Sequence, residues 1–184
     1  RHGNSGGSFC TYGFYEKHDA STAINYLHSR ADLRLGKIGI FGSSMGAAIA
    51  IQVAALDARV SAVIAESGFA TLRSIFDDYQ KRMIKLPWHY LRNLVIQRSE
   101  RMAHFKANSV SPLEAVRGIH VPLLIIHGTA DNLIDFRYSV SVYEQANQPK
   151  ELWLIPGARH NDIIEVGGEE YRRRIVEFFD RTIG

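Results

Sequence analysis

A single stretch decides the fold: Lys37-Ile38-Gly39-Ile40-Phe41-Gly42-Ser43-Ser44-Met45-Gly46. Its first half is a short apolar run typical of a buried strand, and the small-residue stretch after it, 47–56, has the composition of a buried helix. A serine at the centre of a Gly-x-Ser-x-Gly turn between strand and helix is held exposed in strained backbone geometry, and the flanking glycines let the chain pass close to its neighbours. The pattern predicts Ser44 as a nucleophile. It also predicts the backbone N–H of Met45, at the helix N-terminus, as an oxyanion donor.

Outward from this turn, strand-like and helix-like segments alternate along the chain. Apolar runs at 60–65, 123–127 and 152–155 predict three further strands, and helical spacing of apolar residues predicts helices at 16–31, 136–145 and 169–181. Apolar strands without polar alternation, separated by helices, are typical of a parallel sheet covered on both faces. The predicted fold class is therefore α/β.

A serine hydroxyl needs a base and an orienting carboxylate, and the sheet topology suggests which residues supply them. Asp131 follows the predicted strand 123–127, and His160 follows the strand 152–155. Loops after the carboxyl ends of parallel strands converge on one crevice, and the order Ser44, Asp131, His160 suits this geometry. Three other carboxylates stay open as alternatives to Asp131: Asp135, Asp162 and, at the end of 60–65, Glu66. His127, at a strand end, is interpreted as a structural residue.

The segment between the second and third predicted strands is too long for a simple crossover, and it contains helical patterns at 72–83 and 88–97. We expect the region of about 71–118 to form a helical cap. Residues 71–106 include eight basic and three acidic side chains, a local excess of +5. The excess is consistent with a solvated helical face, with a cap over a pocket for an anionic ligand, or with a face that contacts anionic lipid.

The amino-acid composition excludes several classes of function. The chain has 184 residues, 46% of them apolar and 22% charged, which fits one globular domain, 1–184. A net charge of +3 is too small to indicate a nucleic-acid binder. One cysteine excludes an internal disulfide and a multi-cysteine zinc site; no metal site or cofactor is expected. No apolar run spans a bilayer, and the cytoplasm is the default location, although the first residue is Arg1 rather than Met and a signal or anchor could precede it.

The sequence resembles α/β-hydrolase-fold serine hydrolases, nearest to the prolyl-oligopeptidase-like and dienelactone-hydrolase-like groups. The resemblance rests on the turn 42–46, on 121–128 with Asp131, on Gly157 with His160, and on Asp19 in the helix before the turn. It also rests on residues 1–7, which resemble the Arg-Gly-His-Gly-x-Ser-x-Gly loop of these enzymes. It implies that Ser44 is the nucleophile, His160 the general base and acid, and Asp131 the orienting acid.

The resemblance also implies a missing front part, because such enzymes usually have several strands before that loop. The chain would then be the C-terminal portion of a longer hydrolase or a variant without its first strands. The first strand present would expose an unpaired edge, which favours association between copies of the chain. The second oxyanion donor would also be absent.

Three functions are weighed on these residues. The first is a serine hydrolase that cleaves a small-molecule carboxylic ester, or alternatively an amide or peptide, through an acyl-enzyme. The second is a non-catalytic module that keeps the hydrolase fold for binding. The third, an NAD(P)-binding oxidoreductase, is disfavoured because Ser44 stands where the dinucleotide fingerprint needs a glycine.

Overall fold

The computed structural model describes residues 4–83 and 89–184. Residues 1–3 of the hydrolase-like loop, and the start of the predicted helix at Trp88, lie outside the described residues. In chain order the elements are α1 (Glu16–Ser29), β1 (Ile38–Ser43), α2 (Met45–Leu56), β2 (Val60–Glu66), α3 (Leu72–Met83), α4 (His89–Ala103), α5 (Pro112–Ala115), β3 (Leu123–Gly128), α6 (Arg137–Gln145), β4 (Lys150–Ile155) and α7 (Ile163–Ile183).

The four strands form one parallel sheet in the order β1-β2-β3-β4. Residues along β2 alternate between two cores. Val63 and Ala65 pack on the face covered by α2 and α6, whereas Ala62 and Ile64 pack on the face covered by α7. Both faces are thus buried, which explains why the strands are apolar without alternation. The predicted α/β class, with a parallel sheet and helices on both faces, is confirmed.

Two helices extend six residues beyond a predicted end, whereas the other predicted helices differ from their bounds by at most two residues. The last helix begins at Ile163 rather than at residue 169, and it contains a kink at Gly168, whose φ of 54° and ψ of −139° are not helical. The kink breaks the apolar periodicity, which hides the first turns from a sequence pattern. Helix α4 continues to Ala103, six residues past its predicted end at Gln97.

Strand β1 forms one edge of the sheet within the described residues, because it pairs with β2 alone. Phe41 on this strand is 44% exposed. A Cβ on Gly39 would lie 2.5 Å from the ring of Phe179, so α7 packs directly on the strand backbone at this position. The edge strand is therefore held by α7, although its outer side has no partner strand within residues 4–83 and 89–184.

The segment between β2 and β3 has a core of its own. Leu72 and Ile75 of α3 pack with Ile96 of α4, and the same cluster includes Ala48 of α2 and Ile134 after β3. These contacts attach α3 and α4 to the sheet layer on the side where β1 and β3 end. No helix within 4–83 and 89–184 is both long enough and apolar enough to cross a membrane.

Candidate active site

Ser44 lies between the end of β1 and the start of α2. Its φ of 56° and ψ of −119° are outside the regions that a non-glycine residue ordinarily adopts. The backbone N–H of Ser44 donates to the carbonyl oxygen of Glu66 at 2.8 Å, which ties the strained turn to the end of β2. The turn therefore presents the hydroxyl at the carboxyl edge of the sheet.

The two glycines of this turn differ in their surroundings. A Cβ on Gly42 would lie 2.1 Å from the carbonyl oxygen of Gly46 and 2.9 Å from the backbone nitrogen of Ala47. A Cβ on Gly46 would have none of the described atoms within 4 Å. The close approach that the sequence pattern suggests is required at Gly42 only.

His160 joins the serine to a carboxylate. Its Nε2 lies 2.9 Å from Ser44 Oγ, and its Nδ1 lies 2.6 Å from Asp131 Oδ2. A carboxylate only accepts, so Nδ1 carries the hydrogen and Nε2 is left to accept the hydroxyl proton of Ser44. The structure brings together these three side chains from the loops after β1, β3 and β4.

The side chain of Asp131 is fully buried, and its carboxylate accepts four hydrogen bonds. Oδ1 accepts from the backbone N–H groups of Leu133 at 2.8 Å and Ile134 at 2.9 Å, while Oδ2 accepts from His160 and from His127 at 3.1 Å. Burial alone would raise the pKa of Asp131, but these hydrogen bonds outweigh it and hold the pKa well below its usual range. The carboxylate is therefore ionised and fixed in orientation.

His127 is a second imidazole on the same carboxylate oxygen. It is completely buried, and its Nε2 faces two acceptors, Asp131 Oδ2 and the carbonyl of Ile134 at 3.0 Å. Nε2 therefore carries the hydrogen, and the hydroxyl of Ser139 on α6 donates to the bare Nδ1 at 2.6 Å. Sequence reasoning missed Ser139, because no local pattern links it to the end of β3.

The rival carboxylates bond elsewhere. Asp135 accepts from the backbone N–H and the guanidinium of Arg137. Asp162 accepts from the backbone N–H of Arg159 at 2.5 Å. Among the described residues, only Asp131 offers its carboxylate to His160.

Glu66 links the turn that holds Ser44 to helix α7. Its carboxylate accepts from the hydroxyl of Ser43 at 2.8 Å and from the hydroxyl of Tyr171 at 2.5 Å. Burial, together with the bond to Glu66, raises the pKa of Tyr171, so its hydroxyl remains a donor. Tyr171 lies on α7, 105 residues after Glu66, and no sequence signal pointed to this contact.

Met45 is the first residue of α2. Its backbone N–H makes no hydrogen bond to any described residue, as expected in the first turn of a helix. Met45 lines an open cavity with a volume of about 540 Å³ between α2 and the loop 5–9. Within the described ranges, no group of three His, Cys, Asp or Glu side chains is arranged to hold a metal ion.

Comparisons with known proteins show the family to which the chain belongs. The model of the prolyl oligopeptidase family matches residues 11–184. The uncharacterized protein YqkD of Bacillus subtilis is 31% identical over 182 residues, which are 98% of this chain and 59% of YqkD. The uncharacterized protein YfhR of Escherichia coli K12 is 33% identical over 163 residues, 87% of this chain and 51% of YfhR.

Among solved structures, the Pyrococcus furiosus esterase Pf2001 superposes with a TM-score of 0.79 at 30% identity, covering all of this chain and 68% of the esterase. The chain spans between half and three-fifths of the length of the curated relatives described above. These findings confirm the predicted resemblance: the chain belongs to the prolyl oligopeptidase family of hydrolases with the α/β-hydrolase fold.

Proposed function

We propose that the protein is a serine hydrolase that cleaves carboxylic esters, with Ser44 as nucleophile, His160 as base and acid, and Asp131 as orienting acid. The observation that carries the proposal is His160 itself, which lies within hydrogen-bond distance of both Ser44 Oγ and Asp131 Oδ2. A hydroxyl, an imidazole and a buried carboxylate in this relation are the parts that acyl transfer requires.

In the proposed first step, Ser44 Oγ attacks the acyl carbon while Nε2 of His160 takes the hydroxyl proton. The carbonyl oxygen becomes an oxyanion, and the free N–H of Met45 at the start of α2 is the donor that this chain offers to it. Asp131 keeps the Nδ1 hydrogen of His160 in place and stabilises the imidazolium. It stays ionised because its hydrogen bonds oppose protonation.

His160 then gives its proton to the leaving alkoxide, the C–O bond breaks, and an acyl-enzyme remains on Ser44. In the second half, a water molecule gives a proton to Nε2 and attacks the acyl carbon. The proton returns to Ser44 Oγ as the acid product leaves. No cofactor enters this sequence of steps.

The similar structure at 30% identity is that of an esterase, which favours an ester over an amide as the substrate. We further propose that 1–184 forms one domain in which the segment 71–118 acts as a cap over the substrate.

Labelling with a fluorophosphonate tests the proposal. We expect covalent modification at Ser44, found by mass spectrometry of the digested protein, and no modification in Ser44→Ala. Folded protein that is unmodified at Ser44 would contradict it. Equal turnover of a p-nitrophenyl ester by the wild type and by Ser44→Ala would instead support a non-catalytic binding module.

A further inference from the structure

Helix α4 has two apolar faces. Ile96 and Ala103 point into the core that α4 shares with α3. Four other large apolar side chains on the same helix are exposed: Leu91 by 40%, Leu94 by 50%, Val95 by 45% and Met102 by 53%. One face attaches the helix to the protein, so the other is available to a partner.

The exposed apolar residues form one continuous stripe. Positions 91, 94, 95 and 102 follow the spacing i, i+3, i+4 and i+11, which places them on one side of a helix. At 100° per residue the centre of the stripe lies about 130° around the helix from Ile96 and Ala103, so the two faces are distinct. Isolated exposed apolar residues are ordinary, but a contiguous group on one helix marks an interaction surface.

The charge on this face is uniformly positive. Arg98 occupies the i+7 position of the stripe and Arg101 lies at its border; both are exposed, and neither forms an ion pair with a carboxylate of the described chain. The acidic residue of the helix, Glu100, lies away from the stripe and accepts the backbone N–H of Ala107. A face that combines unpaired guanidinium groups with apolar side chains is suited to a partner whose surface presents both anionic groups and hydrocarbon.

We propose that the face of α4 formed by Leu91, Leu94, Val95, Arg98 and Met102 docks on an anionic lipid surface. The apolar side chains enter the boundary between head groups and acyl chains, and Arg98 and Arg101 contact lipid phosphates. A second copy of the chain fits less well, because a two-fold contact on this face would bring the arginines of both copies together without counter-charge.

Flotation with lipid vesicles tests this proposal. We expect the protein to float with vesicles of phosphatidylcholine and phosphatidylglycerol, to bind vesicles of phosphatidylcholine alone much more weakly, and to be released by salt. The double variant Leu94→Ser/Val95→Ser should lose about tenfold in vesicle affinity, since the apolar burial of two side chains is removed. Arg98→Glu should lose about tenfold or more on anionic vesicles, and Arg98→Lys should retain binding.

Val176→Ser is the matched control, because Val176 is an equally exposed apolar residue on α7 at the other face of the sheet. It should bind vesicles as the wild type does. Equal binding to neutral and anionic vesicles, or an equal loss in Val176→Ser, would overturn the proposal. A dimer in solution that Leu94→Ser/Val95→Ser dissociates would assign the face to a second copy and overturn it as well. Labelling of Ser44 in solution reports the proposed hydrolase activity separately.

Discussion

The substitution Gly42→Ala probes how closely β1 and α2 approach each other around the nucleophile. The added Cβ would lie 2.1 Å from the carbonyl oxygen of Gly46 and 2.4 Å from its carbonyl carbon. Ordinary contact begins near 3.4 Å, so the two segments must separate by more than 1 Å. These two atoms and the third near atom, the nitrogen of Ala47, belong to the backbone, so no side-chain rotation can relieve the overlap.

The separation acts on Ser44, which lies between the two glycines. A displacement of about 1 Å in a reacting group costs on the order of 10²-fold in rate, equivalent to about 2.7 kcal/mol of activation free energy. We expect kcat/KM for a p-nitrophenyl ester and the rate of fluorophosphonate labelling to fall together by about that factor. The midpoint of thermal unfolding should also fall, because the overlap destabilises the turn.

Gly46→Ala provides the comparison within the same motif. Its Cβ would meet no described atom within 4 Å, and alanine in place of glycine inside a helix stabilises by ~0.5–1 kcal/mol. We expect this variant to unfold at the same or a higher temperature and to label at nearly the wild-type rate. Wild-type labelling in Gly42→Ala, or equal losses in both variants, would refute the steric reasoning.

Three further predictions concern the buried polar groups. Asp131→Asn should lower kcat by about 10⁴-fold, because the amide cannot keep the Nδ1 hydrogen of His160 in place. Steady-state kinetics measure this loss. Near-normal turnover would mean that another carboxylate orients His160. The lowered pKa of Asp131 means that its ionised form stabilises the fold above about pH 4 and that this contribution is lost as the pH falls. The difference in unfolding free energy between wild type and Asp131→Asn, measured in urea, should therefore shrink on acidification, and a constant difference would contradict the linkage. Tyr171→Phe leaves a buried oxygen of Glu66 without its donor and should lower the free energy of unfolding, measured in urea, by ~1–3 kcal/mol. Tyr26→Phe, at a tyrosine that is 58% exposed, should change it little. Equal losses in the two variants would contradict this account.

The elements that could be predicted are those whose own residues show a clear apolar pattern. The strands β2 and β3 are buried on both faces, so their sequences are mostly apolar and stand out from the helices. The short apolar run before the turn at Ser44 predicts the edge strand β1. The sequence pattern predicts helix α7 only from residue 169 onward, because Gly168 interrupts its period.

The candidate site divides in the same way. Ser44, Asp131 and His160 each follow a strand directly, so chain order and sheet topology were sufficient to expect them near one another. Ser139 and Tyr171 each donate a hydrogen bond to a residue on another element, and these elements come into contact only when the chain folds. The hydroxyl of Ser139 reaches His127 from α6, and that of Tyr171 reaches Glu66 from α7. Such partners carry no signal in spacing or composition.

The 116 residues that separate Ser44 from His160 impose a delay during synthesis. A ribosome adds ~5–20 residues per second, so His160 is made roughly 6 to 23 s after Ser44. In the proposed function Ser44 lacks its base until then, and a serine hydroxyl alone is a weak nucleophile. On that mechanism the hydroxyl of Ser44 in a nascent chain would become reactive only when nearly all of the described sequence has been translated and folded.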